Sequence, residues 1–235
     1  MLRLFIDRIT LANFFMRWCR GRTDRWKRTL FALLALILAL GFSIHSPLAQ
    51  LLMRQNHFST IIRNGAGPFF QNGLFLRYAS NQLAGFYLGS GQTVRGYFQG
   101  GVIVDWSLGT YTTGQDTHVC ITASSTTSRA GYLAGGSAVT NTTAVTLPNM
   151  TALHIGAVDG AAPFDGELSE IAIWNEALTQ SEVDALAKGA AAYLVRPHAL
   201  RFYAPMIRDL TDIRGGLAIT NTNSATVTTH PRVYR

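Results

Sequence analysis

Three sets of side chains in this 235-residue chain have types that carry chemistry, and their spacing limits what each can do. The first set is carboxylate. Glycoside hydrolysis needs two carboxyl groups flanking one bond, and residues two or four apart on a strand project to one face. Glu167 and Glu170 are three apart, on opposite faces of a regular strand, and no E-x-D or E-x-x-x-E pattern falls in any other strand candidate. The second set is nucleophilic. No G-x-S-x-G elbow occurs, and His118, His154, His198 and His230 fall where strand and loop histidines are ordinary. The third set belongs to ligand binding. The loop VDGAAPFDGE, residues 158–167, offers Asp159, Asp165 and Glu167, and a hard cation needs several such oxygens to converge. Asp-Gly twice in one loop is equally what two tight turns require. Trp106, Trp174, Tyr111 and Phe164 pose the same choice between a face on which a pyranose stacks and a core side chain. Asp159, Asp165 and Trp106 are the ligand-contact candidates.

The elements that must position these residues are short and regularly spaced. Strand candidates are Phe58 to Arg63, Leu74 to Tyr78, Gly85 to Leu88, Val94 to Phe98, Val102 to Leu108 and His118 to Ala123. They continue with Ala130 to Leu133, Ala144 to Leu147, Leu153 to Ala157 and Leu168 to Trp174. Turn residues separate them at sandwich spacing, which excludes βαβ units. One helix is expected at about 180–188. Thr179 and Glu182 form a capping box, Val183, Leu186 and Ala187 make the apolar stripe, and Gly189 stops it. After Gly189, Leu200, Phe202 and residues 217–219 are expected to supply closing strands, the terminal one returning beside the first.

Charge is concentrated at the N-terminus. Eight of the 20 basic residues lie in residues 1–28 against Asp7 and Asp24, leaving 12 basic and 11 acidic side chains over the other 207 residues. That balance argues against nucleic acid as a partner of the globular part. In residues 1–28, Leu2, Phe5, Ile6, Ile9, Ala12 and Met16 recur at helical spacing. Such a basic amphipathic helix suits a membrane interface, with membrane lipids as partners, or packs on protein. Residues 29–54 contain the apolar run from Leu30 to Ile44, including Leu30, Leu34, Ile37 and Leu40, preceded by Arg25, Lys27 and Arg28. A full span needs about 20 apolar residues. The expectation is a single-pass anchor with the N-terminus cytoplasmic and residues 55–235 on the opposite side; a cleaved leader and a buried helix are the alternatives. Cys19 and Cys120 lie in different regions, so no disulfide between them is expected.

The stretch DGELSEIAIWNEALTQSE resembles the closing strand and helix of LamG-like domains of the concanavalin A-like lectin/glucanase superfamily. The matching positions are Gly166, Leu168, Glu170, Ile171, Ile173, Trp174, Asn175, Leu178, Thr179 and Glu182. Thr117-His118-Val119-Cys120-Ile121 is similar to the family's central strand, and Leu153-His154-Ile155-Gly156 to its L-x-I-G strand. Arg129 to Gly136 resembles the strand and turn usually written YVDG, with Ala134 where the family has Asp. The resemblance covers roughly Phe58 to Gly189, and the C-terminal stretch is similar to tails of LamG-like proteins of phages and prophages. It implies an all-β concanavalin A-like jelly-roll sandwich over residues 55–235, a His at position 118 without catalysis, and calcium as the cation for Asp159, Asp165 and Glu167. The first expectation for function is a non-enzymatic, membrane-anchored structural or assembly subunit that contacts protein partners in a larger complex. The alternative is a lectin-like, carbohydrate-binding adhesion or virion surface protein, secreted or particle-borne. No cofactor beyond calcium is expected.

Overall fold

A computed structural model describes residues 57–64, 70–79, 81–146, 151–207, 209–222 and 224–226. The basic amphipathic segment and the anchor with Leu30, Leu34, Ile37 and Leu40 lie outside the described residues. Among the described residues no helix is long and apolar enough to cross a membrane.

Among the described residues eleven strands form two antiparallel sheets. One has the order β11 (Leu200–Ala204), β10 (Gly166–Trp174), β1 (His57–Asn64), β6 (Thr117–Ser125), β7 (Ser128–Leu133), β8 (Val139–Asn141). The other runs β5 (Ile103–Thr110), β4 (Thr93–Gly100), β3 (Gln82–Gly89), β2 (Gln71–Ala79), β9 (Ala152–Ile155). Among the described residues the sandwich and one α-helix match the all-β expectation, and that helix, α1 (Gln180–Ala187), carries the anticipated capping box.

The difference between the sheets is written in their strands. Between them lies a core of Phe58, Ile62, Leu74, Phe86, Phe98, Trp106, Ile121, Ile171 and Phe202. A second cluster, Cys120, Trp174, Leu178, Val183, Leu186 and Leu200 among others, fills the space between the outer side of the six-stranded sheet and α1. The central strands of that sheet are therefore covered on both faces and read as near-continuous runs such as VCITA in β6 and EIAIW in β10. In the five-stranded sheet β4 and β5 alternate, as in VRGYFQ, because one of their faces meets the core, whereas β2 and β3 are buried on both faces over residues 71–76 and 84–88.

Three expectations need correction. Residues 142–146 form no strand: the Asn141 carboxamide accepts the Thr143 amide at 3.0 Å, an Asx turn that draws the chain out of the ladder after β8. Residues 217–219 contribute one isolated bridge, Thr211 to Ala218. Here the buried Asp212 carboxylate accepts backbone N–H groups from Tyr203, Arg214, Gly215 and Leu217, which curls this segment into a loop. Finally, the closing strand β11 pairs with β10, and it is β10 that lies beside β1. Thus β11 covers an edge that the sheet would otherwise expose.

Candidate functional site

The alternation in β4 and β5 turns partly and fully exposed side chains to the outer face of the five-stranded sheet, beside the buried Phe75 and Tyr87. Side chains that alternate with the core positions form a transverse row of direct register partners: His154 on β9, Phe75 on β2, Gly85 on β3, Tyr97 on β4 and Asp105 on β5. At a strand spacing of about 4.8 Å the row extends roughly 19 Å. Flanking it on one side are Tyr87 and Arg95, themselves partners across β3 and β4. On the other are Arg77, Leu83 and Gln99.

Packing in the row depends on a missing side chain. A β-carbon on Gly85 would lie 2.0 Å from the Leu74 carbonyl oxygen and 2.7 Å from the Phe75 ring, so only glycine lets that ring occupy the middle of the sheet. Phe75 is 3% exposed and meets Tyr97 edge-on at 6.1 Å; Tyr97 meets Tyr87 in the same way, and Phe70, 49% exposed, lies 4.5 Å from Tyr87. Phe75 and Tyr87 thus support two more accessible rings, Tyr97 and Phe70.

Polar groups are tied to this aromatic strip. Asp105 accepts from Tyr87 Oη at 2.7 Å through one oxygen and from Arg95 Nε at 2.8 Å through the other. Burial, then the hydrogen bond to Asp105, push the Tyr87 phenol up to about 12, so it stays a donor. Tyr97 Oη donates to Gln99 Oε1 at 3.0 Å. At the other end Arg77 pairs with Asp159, and burial followed by the Arg77 charge lowers the basicity of His154, with Asp159 opposing. The strip is a ringed platform edged with donors and acceptors.

The model of the concanavalin A-like lectin/glucanases superfamily matches residues 54–184, more than half of the chain. The chain belongs to that superfamily. Among curated proteins none matches it. Of solved structures, domain 4 of an extracellular arabinanase from Geobacillus stearothermophilus, in complex with arabinotriose, is similar with a TM-score of 0.51. The identity is 20%, over 59% of this chain and 69% of that one. The CBM40 of the Ruminococcus gnavus IT-sialidase, bound to α2,3-sialyllactose, has a TM-score of 0.49 and 14% identity, over 58% of this chain and 84% of that one. At 20% identity the likeness to the arabinanase domain is one of fold.

In this superfamily member the residues singled out from sequence are dispersed. Trp106 is a core side chain, 8% exposed, packed over Gly96 with its Nε1 donating to the Val139 carbonyl at 3.3 Å. It faces away from the strip. Trp174 is likewise buried and donates to Val195 O at 2.9 Å. Asp159 and Gly160 both have left-handed φ, +51° and +74°, in a tight turn closed by the Ala161 amide on Val158 O, so the turn reading of this Asp-Gly holds. Asp165 is exposed, its amide donating to Gln71 Oε1, and Glu167 lies 3.9 Å from Arg63. Among the described residues no three His, Cys, Asp or Glu side chains lie together as a metal centre. The set Asp159, Asp165 and Glu167 does not assemble one, because Asp159 and Glu167 turn to different arginines.

The strand that carries Glu167 and Glu170 is not regular, so their odd offset does not set them on opposite faces. β10 is bulged: its pairing with β1 slips between Ser59 and Ile61, and Glu170 has φ +52°. Glu170 is 6% exposed and accepts from Tyr203 Oη at 2.6 Å, while Glu167 sits half-buried beside Arg63. His118 is buried in the central strand with Nε2 2.7 Å from Ser59 Oγ. Sequence reasoning missed Tyr87, Arg95, Tyr97 and Asp105. The available signal was the parity of β4, where Val94, Gly96 and Phe98 face the core and Arg95, Tyr97 and Gln99 must face outward.

Proposed function

We propose that this protein is a non-enzymatic, lectin-like module that binds saccharide on the outer face of its five-stranded sheet. The observation that carries the reading is the row of Tyr97 and its supporting rings next to the Arg95–Asp105 pair. Apolar sugar faces stack on such rings while hydroxyl groups take the polar rim. The fold's similarity to an arabinanase domain solved with arabinotriose supports it. Absence of turnover is part of the proposal, since Glu170 is buried and bonded to Tyr203, Glu167 lies beside Arg63, and Asp105 is already held by Tyr87 and Arg95. The test is a glycan array followed by calorimetry on the best ligand. Tyr97→Ala is expected to weaken binding at least about tenfold, the loss of roughly 1.4 kcal/mol or more, in a variant that still unfolds cooperatively. Full affinity in that variant excludes the site.

The structural-subunit reading keeps one observation of its own. Tyr78, Val102 and Ile103 are exposed at the same end of the sheet, where the β2–β3 and β4–β5 turns lie side by side. Protein partners at that end predict that Val102→Asp with Ile103→Asp dissociates a complex visible by native mass spectrometry.

A further inference from the structure

We propose that the saccharide taken at the outer face is electrically neutral and presents an adjacent pair of hydroxyl groups to Arg95 and Asp105. This deepens the glycan-binding reading and rests on it. The argument begins with charge. The described charged side chains along the strip are matched on site: Arg95 by Asp105, and Arg77 by Asp159. The neighbouring imidazole, His154, has its basicity lowered by burial and by Arg77, so it adds no positive charge at neutral pH. Recognition of a carboxylate or sulfate relies on a cation that the protein has left uncompensated. Neither arginine of the strip is in that condition.

Hydrogen-bond capacity supplies the second half. An ionised carboxylate offers about four lone-pair sites and a guanidinium five N–H donors. Asp105 uses one site for Arg95 Nε and one for Tyr87 Oη, and Arg95 spends a single N–H on Asp105. Both side chains are about one-third exposed, at 31% and 32%. A set of acceptors therefore stands beside a set of donors at the edge of an aromatic platform. A hydroxyl donates to one and accepts from the other, so two neighbouring hydroxyls satisfy the pair together. An anionic group meets the outward lone pairs of Asp105 with like charge. Gln99, whose carbonyl is taken by Tyr97 Oη, has its amide N–H₂ left as a further donor next to Tyr97.

The experiment uses the full chain on an array holding neutral oligosaccharides together with sialylated, uronic-acid and sulfated ones, followed by calorimetry at low and at molar salt. The expected result is capture of neutral glycans only, with Kd moving less than about twofold across that salt range, since no net charge is neutralised. Asp105→Asn is expected to weaken the neutral ligand by about tenfold or more, as loss of hydrogen bonds to a charged acceptor does. Preferential capture of anionic glycans, with affinity falling in salt, overturns the inference and leaves the glycan-binding reading standing. Capture of no glycan overturns both. An unchanged Kd in folded Asp105→Asn overturns the hydroxyl-pair assignment. Charge selectivity is read on the unaltered chain and does not depend on how the variant folds.

Discussion

At the scale of single residues, the departures from the family pattern have physical consequences. Ala134 stands where the resemblance leads one to expect Asp, and its φ is +51°, followed by Gly135 at +73°. The Cβ of an L-residue pays about 1–2 kcal/mol in that region, and alanine has no side-chain hydrogen bond to offset it. Ala134 is exposed and its amide donates to His118 O at 2.8 Å, so nothing else at the site demands a methyl group. Ala134→Gly is expected to stabilise the fold by about 0.5–1 kcal/mol, a rise in Tm of about 1–4 °C for a domain of this size. Thermal unfolding by circular dichroism measures it, and an unchanged or lower Tm refutes the strain. The same scale shows why the candidate site was hard to read. His154, Phe75, Gly85, Tyr97 and Asp105 come from five strands, and only register brings them into one row. No local spacing reports register, whereas Trp106 and the Asp-Gly pairs attract notice by residue type alone and serve the core and a turn.

At the scale of elements, the sequence was legible wherever a local rule and the tertiary environment agreed. Thr179 and Glu182 close the capping box, with Glu182 Oε2 accepting from the Thr179 amide at 2.7 Å. The same carboxylate is held by Arg196 through two hydrogen bonds of 2.9 and 2.7 Å, a contact fourteen residues away that no capping rule foresees. Strands failed to follow the pattern where side chains competed with the ladder, as Asn141 and Asp212 do. The C-terminal element has the largest energetic role of those read only in outline. β11 inserts Phe202 and Ala204 between the sheets and Leu200 and Tyr203 into the outer cluster, and it pairs with Ile171 to Trp174. Losing a buried Phe alone costs about 3–5 kcal/mol, and removal of β11 also bares the apolar edge of β10. Deletion of residues 200–235 is therefore expected to leave an insoluble protein. A soluble truncation with a single cooperative urea transition contradicts this.

At the scale of the whole molecule, the central strands β1 and β6 of the six-stranded sheet are buried on both faces and carry two histidines in that interior. His57 Nδ1 accepts the Ala123 amide at 3.1 Å and His118 Nε2 meets Ser59 Oγ, while His118 Nδ1 has no hydrogen-bond partner among the described residues. Burial lowers both to about 4 from an ordinary 6.5, with Arg196 adding to the effect on His57. Because the folded values lie below the unfolded one, the unfolded chain binds protons first as pH falls. The stability these neutral histidines preserve is complete above about pH 6.5 and is lost progressively down to about pH 4, each contributing up to about 3 kcal/mol. Two such groups amount to a large part of an ordinary domain stability of about 5–15 kcal/mol, so acid should unfold this sandwich well before its surface carboxylates are all protonated. Urea midpoints between pH 7.5 and 4.5 measure the effect, with a slope approaching about 2.7 kcal/mol per pH unit when both histidines titrate. His118→Gln keeps a nitrogen or oxygen near Ser59 and cannot be protonated, and should roughly halve that slope. A midpoint independent of pH over this window, in the unaltered chain, would show that the buried histidines are not what ties the fold to neutral solution.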